Sequence, residues 1–398
     1  MSLAVPPATA FPVLEQEGLV YLDSAATSQT PRPVIEAMDR YYNEYRASIH
    51  RGVYPLAAEA TEAYEVAREK VAAFTGSTIG ETIFTRNATE ALNLVAYSWG
   101  RANVGPDDFV VVTQMEHHSN IVPWQLIGAR IEWLGIDDEG LLDMEQLDAL
   151  LARGPKAVAV AHISNVLGTV NPIADIARRA HEAGAVVVVD GAQAAPHLPV
   201  DVRELDADFY AWTGHKAYGP TGIGVLHGRR ELLEAMPPFL GGGHMIARVT
   251  EDGFTPAEPP AKFEAGTMPV AEAIGLGAAV DWLEGVGMDA VRAHGRDVTA
   301  YALERLAEVP GLTLYGPSDM DERGALTTFT LEGVHPHDVA EILGREGVCV
   351  RAGHHCAQPL MRRLGVPASS RASFAVHTTH EDVDRLIDGL GTVRGIFA

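Results

Sequence analysis

The sequence predicts an α/β fold: a mostly parallel sheet with helices on both faces, followed by a smaller α+β C-terminal domain. Three observations carry that expectation. Between about residues 80 and 230, short apolar runs of strand length alternate with amphipathic patterns of helix length. The runs are nearly continuously apolar, as strands covered on both faces are. At 398 residues the chain also exceeds the roughly 250–300 residues at which a single core stops growing, so two domains are expected.

The strand candidates, in order, are FVVVT (109–113), KAVAVAHIS (156–164), AVVVVD (185–190), DFYAW (208–212) and GIGVLHG (222–228). RNATEALNLVAYSW (86–99), MEQLDALLARG (144–154) and IADIARRAHEAG (173–184) repeat apolar residues at helical spacing, the last closing on Gly184 as a helix end does. Residues 237–269 are rich in Gly and Pro and read as a long irregular segment, of a kind that is usually functional or interfacial. AEAIGLGAAVDWLEGVG (271–287) and MDAVRAHGRDVTAYALERLAEV (288–309) then read as long helices. The second unit has strands near LTLYG (312–316), ALTTFTL (325–331), GVCVRA (347–352) and RASFAVHT (371–378), with helices HDVAEILGREG (337–347) and HEDVDRLIDGLGTVRGIF (380–397). Residues 22–280 thus make the large domain, and 1–21 with 281–398 the small one.

Charge narrows the function. Thirty Lys plus Arg against fifty-three Asp plus Glu give a formal charge of −23, which repels phosphate backbones and anionic lipid surfaces. No nucleic-acid or membrane partner is expected. The N-terminal stretch lacks a basic region and is interrupted by prolines, unlike a secretory signal. No apolar run approaches the roughly twenty residues of a membrane span. Two cysteines, Cys349 and Cys356, are too few for a disulfide scaffold and fit a reducing, cytoplasmic setting.

Parallel sheets bind ligands beyond the carboxyl ends of their strands, and chemistry-bearing residues gather at those predicted ends. Lys216 lies in a glycine-rich bend between DFYAW and GIGVLHG. Desolvation there would lower its pKa and free the amine to attack a carbonyl, as a Schiff-base lysine must; a solvated loop lysine is the plainer alternative. Asp190 ends AVVVVD, with Gln193 just after it. A carboxylate in that place can hold a pyridinium nitrogen, so Lys216 and Asp190 together suggest pyridoxal phosphate; the alternatives for Asp190 are a strand-end cap or a metal ligand, the latter without a carboxylate cluster nearby. The helix beginning near Thr89 offers free N–H groups and a positive dipole end to a phosphate, although Ser and Thr at helix starts are commonly plain caps. Thr213 and His215 could add donors. His117, after FVVVT, could stack on a pyridine ring and exchange protons with a substrate.

RAGHHCAQPL (351–360) leaves three readings open for Cys356: metal ligand, buried filler or nucleophile. Three consecutive residues, His354 to Cys356, diverge too much to share one tetrahedral ion readily, and no second Cys/His pair stands at zinc-like spacing. Cys349, inside an apolar run, reads as packing. A free thiol has pKa about 8.5, so a nucleophilic Cys356 would gain from a neighbouring cation or imidazole, for which His354, His355 and Arg351 are candidates.

NATEA, EHHSNIVPW, ISNVLGTVNPI, VVVVDGAQ, TGHKAYGPTGIGVL, GGGHMI and RAGHHCAQPL occur in that order over nearly the whole chain. With these motifs the sequence resembles a group II cysteine desulfurase (SufS-type), in the class V aminotransferase branch of fold-type I pyridoxal-phosphate enzymes. The resemblance implies conversion of L-cysteine to L-alanine, with the sulfur left as a persulfide on Cys356. A small sulfur-acceptor protein (SufE- or SufU-like) would then take it, for iron–sulfur cluster assembly; a selenocysteine lyase or another class V enzyme is the alternative. It also implies roles for residues. Lys216 would bind pyridoxal 5'-phosphate covalently, Asp190 its ring nitrogen and Gln193 its phenolic oxygen, with His117 stacked on the ring. Ala88, Thr89, Thr213 and His215 would hold the phosphate. Asn165 and Arg371 would bind the substrate carboxylate, with Ala26, His50, Arg51 and Arg351 nearby. The active site would lie at a homodimer interface, where Thr267 reaches the partner's phosphate. After EAGT this chain continues MPVAEAIGL, where the family usually has a Pro-Asn type pair.

Overall fold

The computed structural model describes residues 8–397, so residues 1–7 of the expected small domain lie outside the described residues. After the short strand β1 (Val20–Tyr21), seven strands build the central sheet. They are β2 (Thr82–Thr85), β3 (Phe109–Thr113), β4 (Arg130–Leu134), β5 (Ala157–Ala161), β6 (Val186–Asp190), β7 (Phe209–Thr213) and β8 (Gly224–Gly228). Their order is β2–β8–β7–β6–β5–β3–β4, and every pairing is parallel except the two made by β8. All five predicted strands form. The two that the sequence does not predict, β2 and β4, are the edges of the sheet.

Burial on both faces explains the unbroken apolar runs. Val110 and Val112 enter one core with Leu92 and Trp124, while Val111 between them enters the other with Leu147 and Ile176. Helix Ala88–Leu94 covers the first face; Met144–Leu151 and Ile173–Glu182 cover the second. None of the described helices is long and apolar enough to cross a membrane.

The structure departs from these expectations in places. Within 237–269 the chain forms an antiparallel hairpin, β9 (Ile246–Thr250) with β10 (Gly253–Pro256), whose Val249 and Phe254 are exposed. The sequence hides it because its strands are short and bury almost nothing. Residues 32–74, unassigned in the sequence, carry helices Arg32–Arg40 and Pro55–Phe74. The latter packs on helix Val270–Val286 so closely that a Cβ on Gly277 would stand 2.9 Å from the Ala67 Cβ.

Helix Met288–Ala307 leads into the second sheet. Its strands are β11 (Leu312–Tyr315), β12 (Leu326–Leu331), β14 (Arg351–Gly353) and β15 (Ser369–Ser373), antiparallel in the order β11–β12–β15–β14. The predicted strand GVCVRA divides: β13 (Val348–Cys349) turns away to pair in parallel with β1. Ala302, Leu343 and Leu386 from three helices pack with Phe329 and Ala372 in a third core. The β14–β15 register sets Arg351 directly opposite Arg371, and an isolated bridge joins Ser373 to Asp23.

Candidate active site

The carboxyl ends of β2, β3, β5, β6 and β7 open on one cavity of about 480 Å³, closed on its far side by β14, β15 and the loop after β14. That size suits a cofactor together with a small substrate. Ala26, Ala88, Thr89, His117, Asn165, Asp190, Gln193, Thr213, His215, Lys216, Arg351, Cys356 and Arg371 all line it. His50, Arg51 and Thr267 do not; all three are exposed elsewhere on this chain.

Lys216 ends the single turn Gly214–Lys216 that follows β7. Burial pulls its ammonium down to about 8, against the Asp190 carboxylate, which favours the charged form. Asp190 is 7% exposed, and its Oδ1 accepts from the Ala192 N–H at 3.0 Å. Burial raises its pKa, while that N–H and Lys216 oppose the rise. Among the described residues it has no ion-pair partner within contact. A buried carboxylate facing a cavity without a contacting cation is matched to a cationic ring nitrogen supplied by a ligand.

His117 follows β3, and its Nδ1 accepts from the Ser119 N–H at 3.1 Å. Burial, then Lys216, push its pKa down to about 3, so the ring is neutral with its proton on Nε2. At the other end of the cavity, Asn87 rather than Thr89 caps the helix: its side chain accepts from the Glu90 N–H. This frees the Thr89 hydroxyl, which meets Ser119 Oγ at 2.6 Å. A Cβ on Gly224 would lie 2.4 Å from the Asn87 carbonyl carbon, so only glycine lets β8 start this close to the helix end. Thr213 Oγ1 is buried with no partner, and His215 is held neutral, near 4, by burial and by Lys216. Gln193 Nε2 donates to Ala25 O at 2.8 Å, leaving its second N–H for another acceptor.

Arg371 is 3% exposed. Its Nη1 donates to Asn165 O at 2.8 Å and its Nη2 to Asp23 Oδ1 at 3.3 Å, while Nε is buried without a partner. That spare donor edge suits a carboxylate. Asn165 Nδ2 donates to His355 O at 2.7 Å, tying the Arg371 side of the cavity to the cysteine loop. In that loop Cys356 is exposed and Cys349 half-buried, so Cys349 is a less complete filler than its sequence suggests. His355, one of the candidates to assist the thiol, is not a cation. Its Nε2 must donate to Ser369 O, at 3.1 Å, and burial with Arg371 nearby pushes its pKa down to about 3. Arg351, another candidate, lines the cavity with its Nη1 3.8 Å from Asp23 Oδ2.

Sequence reasoning missed three residues. Glu116 is fully buried and accepts from Thr113 Oγ1, Asn120 Nδ2 and the Ala161 N–H, pinning the ends of β3 and β5 together beneath His117. Burial pushes its carboxyl up to about 8. Asp23 and Ser119 take their roles from partners hundreds or tens of residues away, which no local pattern reports.

With the site in view, comparison with known proteins is decisive. The family model for aminotransferase class-V matches residues 20–386. The chain belongs to the class V aminotransferase family. It is 52% identical to a probable cysteine desulfurase of Streptomyces coelicolor, over 97% of this chain and 96% of that one. It is 49% identical to a cysteine desulfurase of Haloferax volcanii, over 96% and 90%. Among solved structures, the apo cysteine desulfurase of Thermococcus onnurineus superposes with a TM-score of 0.95 at 40% identity, covering 99% of both chains. The Escherichia coli cysteine desulfurase CsdA gives 0.92 at 41%, covering 98% of both. Class V enzymes generally depend on pyridoxal phosphate, and this cavity fits one: the unpaired Asp190 carboxylate, the partnerless Thr213 hydroxyl and the desolvated Lys216 amine are the groups such a cofactor satisfies.

Proposed function

We propose that this chain is a pyridoxal-phosphate-dependent cysteine desulfurase that moves the sulfur of L-cysteine onto Cys356 and releases L-alanine. The observation that carries this reading is the meeting, in one cavity, of a desolvated lysine, a buried carboxylate, a spare guanidinium edge and an exposed thiol. The reaction balances without an outside oxidant or reductant. The substrate Cβ–S bond breaks and an S–S bond forms; the carbon gains hydrogen and two electrons, and the sulfur pair loses two.

Lys216 would hold the cofactor and, once released, accept the Cα proton. Bound pyridoxal phosphate supplies a sink for the electron pair left at Cα. Asp190 would hold the ring nitrogen in its protonated form, Gln193 would donate to the phenolic oxygen, and neutral His117 would lie against the ring and offer Nε2 for proton exchange. Ala88, Thr89, Thr213 and His215 would hold the phosphate. Arg371 and Asn165 fix the substrate carboxylate, with Ala26 and Arg351 beside it. Cys356 then takes the sulfur, and its exposure supports hand-over to a small sulfur-acceptor protein, with cluster assembly as the downstream use. The exposed positions of His50, Arg51 and Thr267, outside this chain's own cavity, support a homodimer in which they meet the partner's site. A reducing cytoplasm suits a working thiol.

The direct test is to give cofactor-loaded protein L-cysteine and follow alanine and the mass of the Cys356 peptide. Alanine together with a persulfide on that peptide is expected; a protein that forms neither would sink the reading. The lysine makes a second forecast. Only the neutral amine attacks the cofactor carbonyl, so uptake of pyridoxal phosphate by cofactor-free protein should quicken about tenfold per pH unit below 8 and level off above it. Growth of visible absorption measures it, and a rate indifferent to pH between 6 and 9 would contradict the assignment, that interval spanning about a unit or more on either side of the midpoint.

A further inference from the structure

The second histidine of EHHSN has no part in this chemistry, yet it is bonded on both sides of the working cysteine. The His118 backbone N–H donates to Cys356 O at 2.7 Å. Its imidazole Nε2 accepts the Gln358 N–H at 3.1 Å, at the first residue of helix Gln358–Leu364. The two bonds bracket the thiol: one grips Cys356 itself, the other the helix that begins two residues later.

The segment so held is strained. His355 and Cys356 have φ of 52° and 56°, consecutive non-glycine residues in the left-handed region. Such a conformation persists only where the surroundings over-determine it. Asn165 holds one end through His355 O, and Ser369 holds the His355 ring. Those anchors come from the carboxylate side of the cavity. His118 comes from the loop after β3, next to His117, and is the anchor on the thiol's C-terminal side. To accept from Gln358, Nε2 must be unprotonated; burial, then His354, favour that neutral ring.

We propose that His118 is a positioning residue: its imidazole latches the start of helix Gln358–Leu364 and thereby keeps Cys356 in the left-handed conformation that presents its thiol to the cavity. It acts through the loop and touches no reacting atom. The proposal rests on the reading of Cys356 as the sulfur-accepting thiol.

The experiment compares cofactor-loaded wild type, His118→Ala and His118→Gln. His118→Ala removes the imidazole bond and keeps the backbone one; in His118→Gln the Oε1 can take the place of Nε2 as acceptor. Three quantities are read: single-turnover persulfide formation with L-cysteine, iodoacetamide alkylation of each cysteine by peptide mass, and visible cofactor absorption. In His118→Ala, persulfide formation is expected to fall about tenfold, the size expected for one lost backbone-anchoring bond. Cys356 alkylation should quicken severalfold as the loop relaxes outward, while Cys349 alkylation, cofactor absorption and the KM for L-cysteine stay unchanged. His118→Gln should recover most of the loss. Wild-type persulfide formation and Cys356 alkylation in His118→Ala would overturn the proposal. So would equal acceleration of both cysteines with loss of colour, which would mark a general loosening of the fold. Were wild type to form no persulfide at all, the functional reading would fall, and the alkylation comparison would still decide whether His118 holds the loop.

Discussion

Replacing Cys356 with alanine should leave a yellow protein that binds L-cysteine and forms alanine at least about 10³-fold more slowly than wild type. The size follows from what is lost: a nucleophile held at the reacting atom acts at an effective concentration that no thiol from solution matches. The groups proposed to hold cofactor and carboxylate are on other elements, β6, the turn after β7 and β15, so their geometry should survive the change. Cofactor absorption and the KM for L-cysteine should therefore stay near wild type while turnover collapses. Cys349→Ala is the matched control. That residue sits half-buried on β13, paired with β1 and outside the cavity, and its loss should change turnover by less than about twofold, surface-type substitutions being mild. Alanine release at the full rate by Cys356→Ala would show that sulfur leaves without this thiol, as in a lyase that needs no enzyme persulfide.

How much of this was legible in the sequence depends on whether a residue's role is local. The runs FVVVT, AVVVVD and DFYAW announced β3, β6 and β7 because both faces of each strand are buried, so no polar residue interrupts them. RIEWL and TIFT, the edges β4 and β2, mix polar and apolar residues, and nothing separates them from loop by composition alone. The site shows the same division. Lys216, Asp190 and His117 stand where strands end, and a charged or titratable side chain directly after an apolar run is a visible signal. Asn87 displaced Thr89 as the helix cap, a choice that φ and a hydrogen bond decide and the string NATE leaves open. Glu116 stayed hidden because its meaning is its three donors, one of them 45 residues away on β5. Proximity in sequence made His355 one candidate to assist the thiol, but its burial and its bond to Ser369 make it a neutral brace.

Replacing Lys216 with alanine should have the larger consequence, because it removes two functions at one atom. On the proposed mechanism the neutral amine would bond the cofactor, and the same nitrogen, once displaced, would serve as the base for the substrate Cα proton. Both depend on desolvation, which brings the ammonium down to about 8 and so leaves an appreciable neutral fraction at neutral pH. General base catalysis alone contributes roughly 10²–10⁴-fold, and loss of the covalent anchor adds to it. Alanine formation should therefore fall by more than about 10⁴-fold. The protein should also lose the cofactor on dialysis, and borohydride, which in wild type fixes the cofactor to the Lys216 peptide, should fix none. Asp190, with the Lys216 charge gone, keeps only the Ala192 N–H opposing the rise that burial causes in its pKa. Small primary amines added to Lys216→Ala offer a sharper discrimination. Restoration of turnover in proportion to amine basicity would assign the loss to the missing base, whereas cofactor retention with full turnover and no added amine would remove Lys216 from the mechanism altogether.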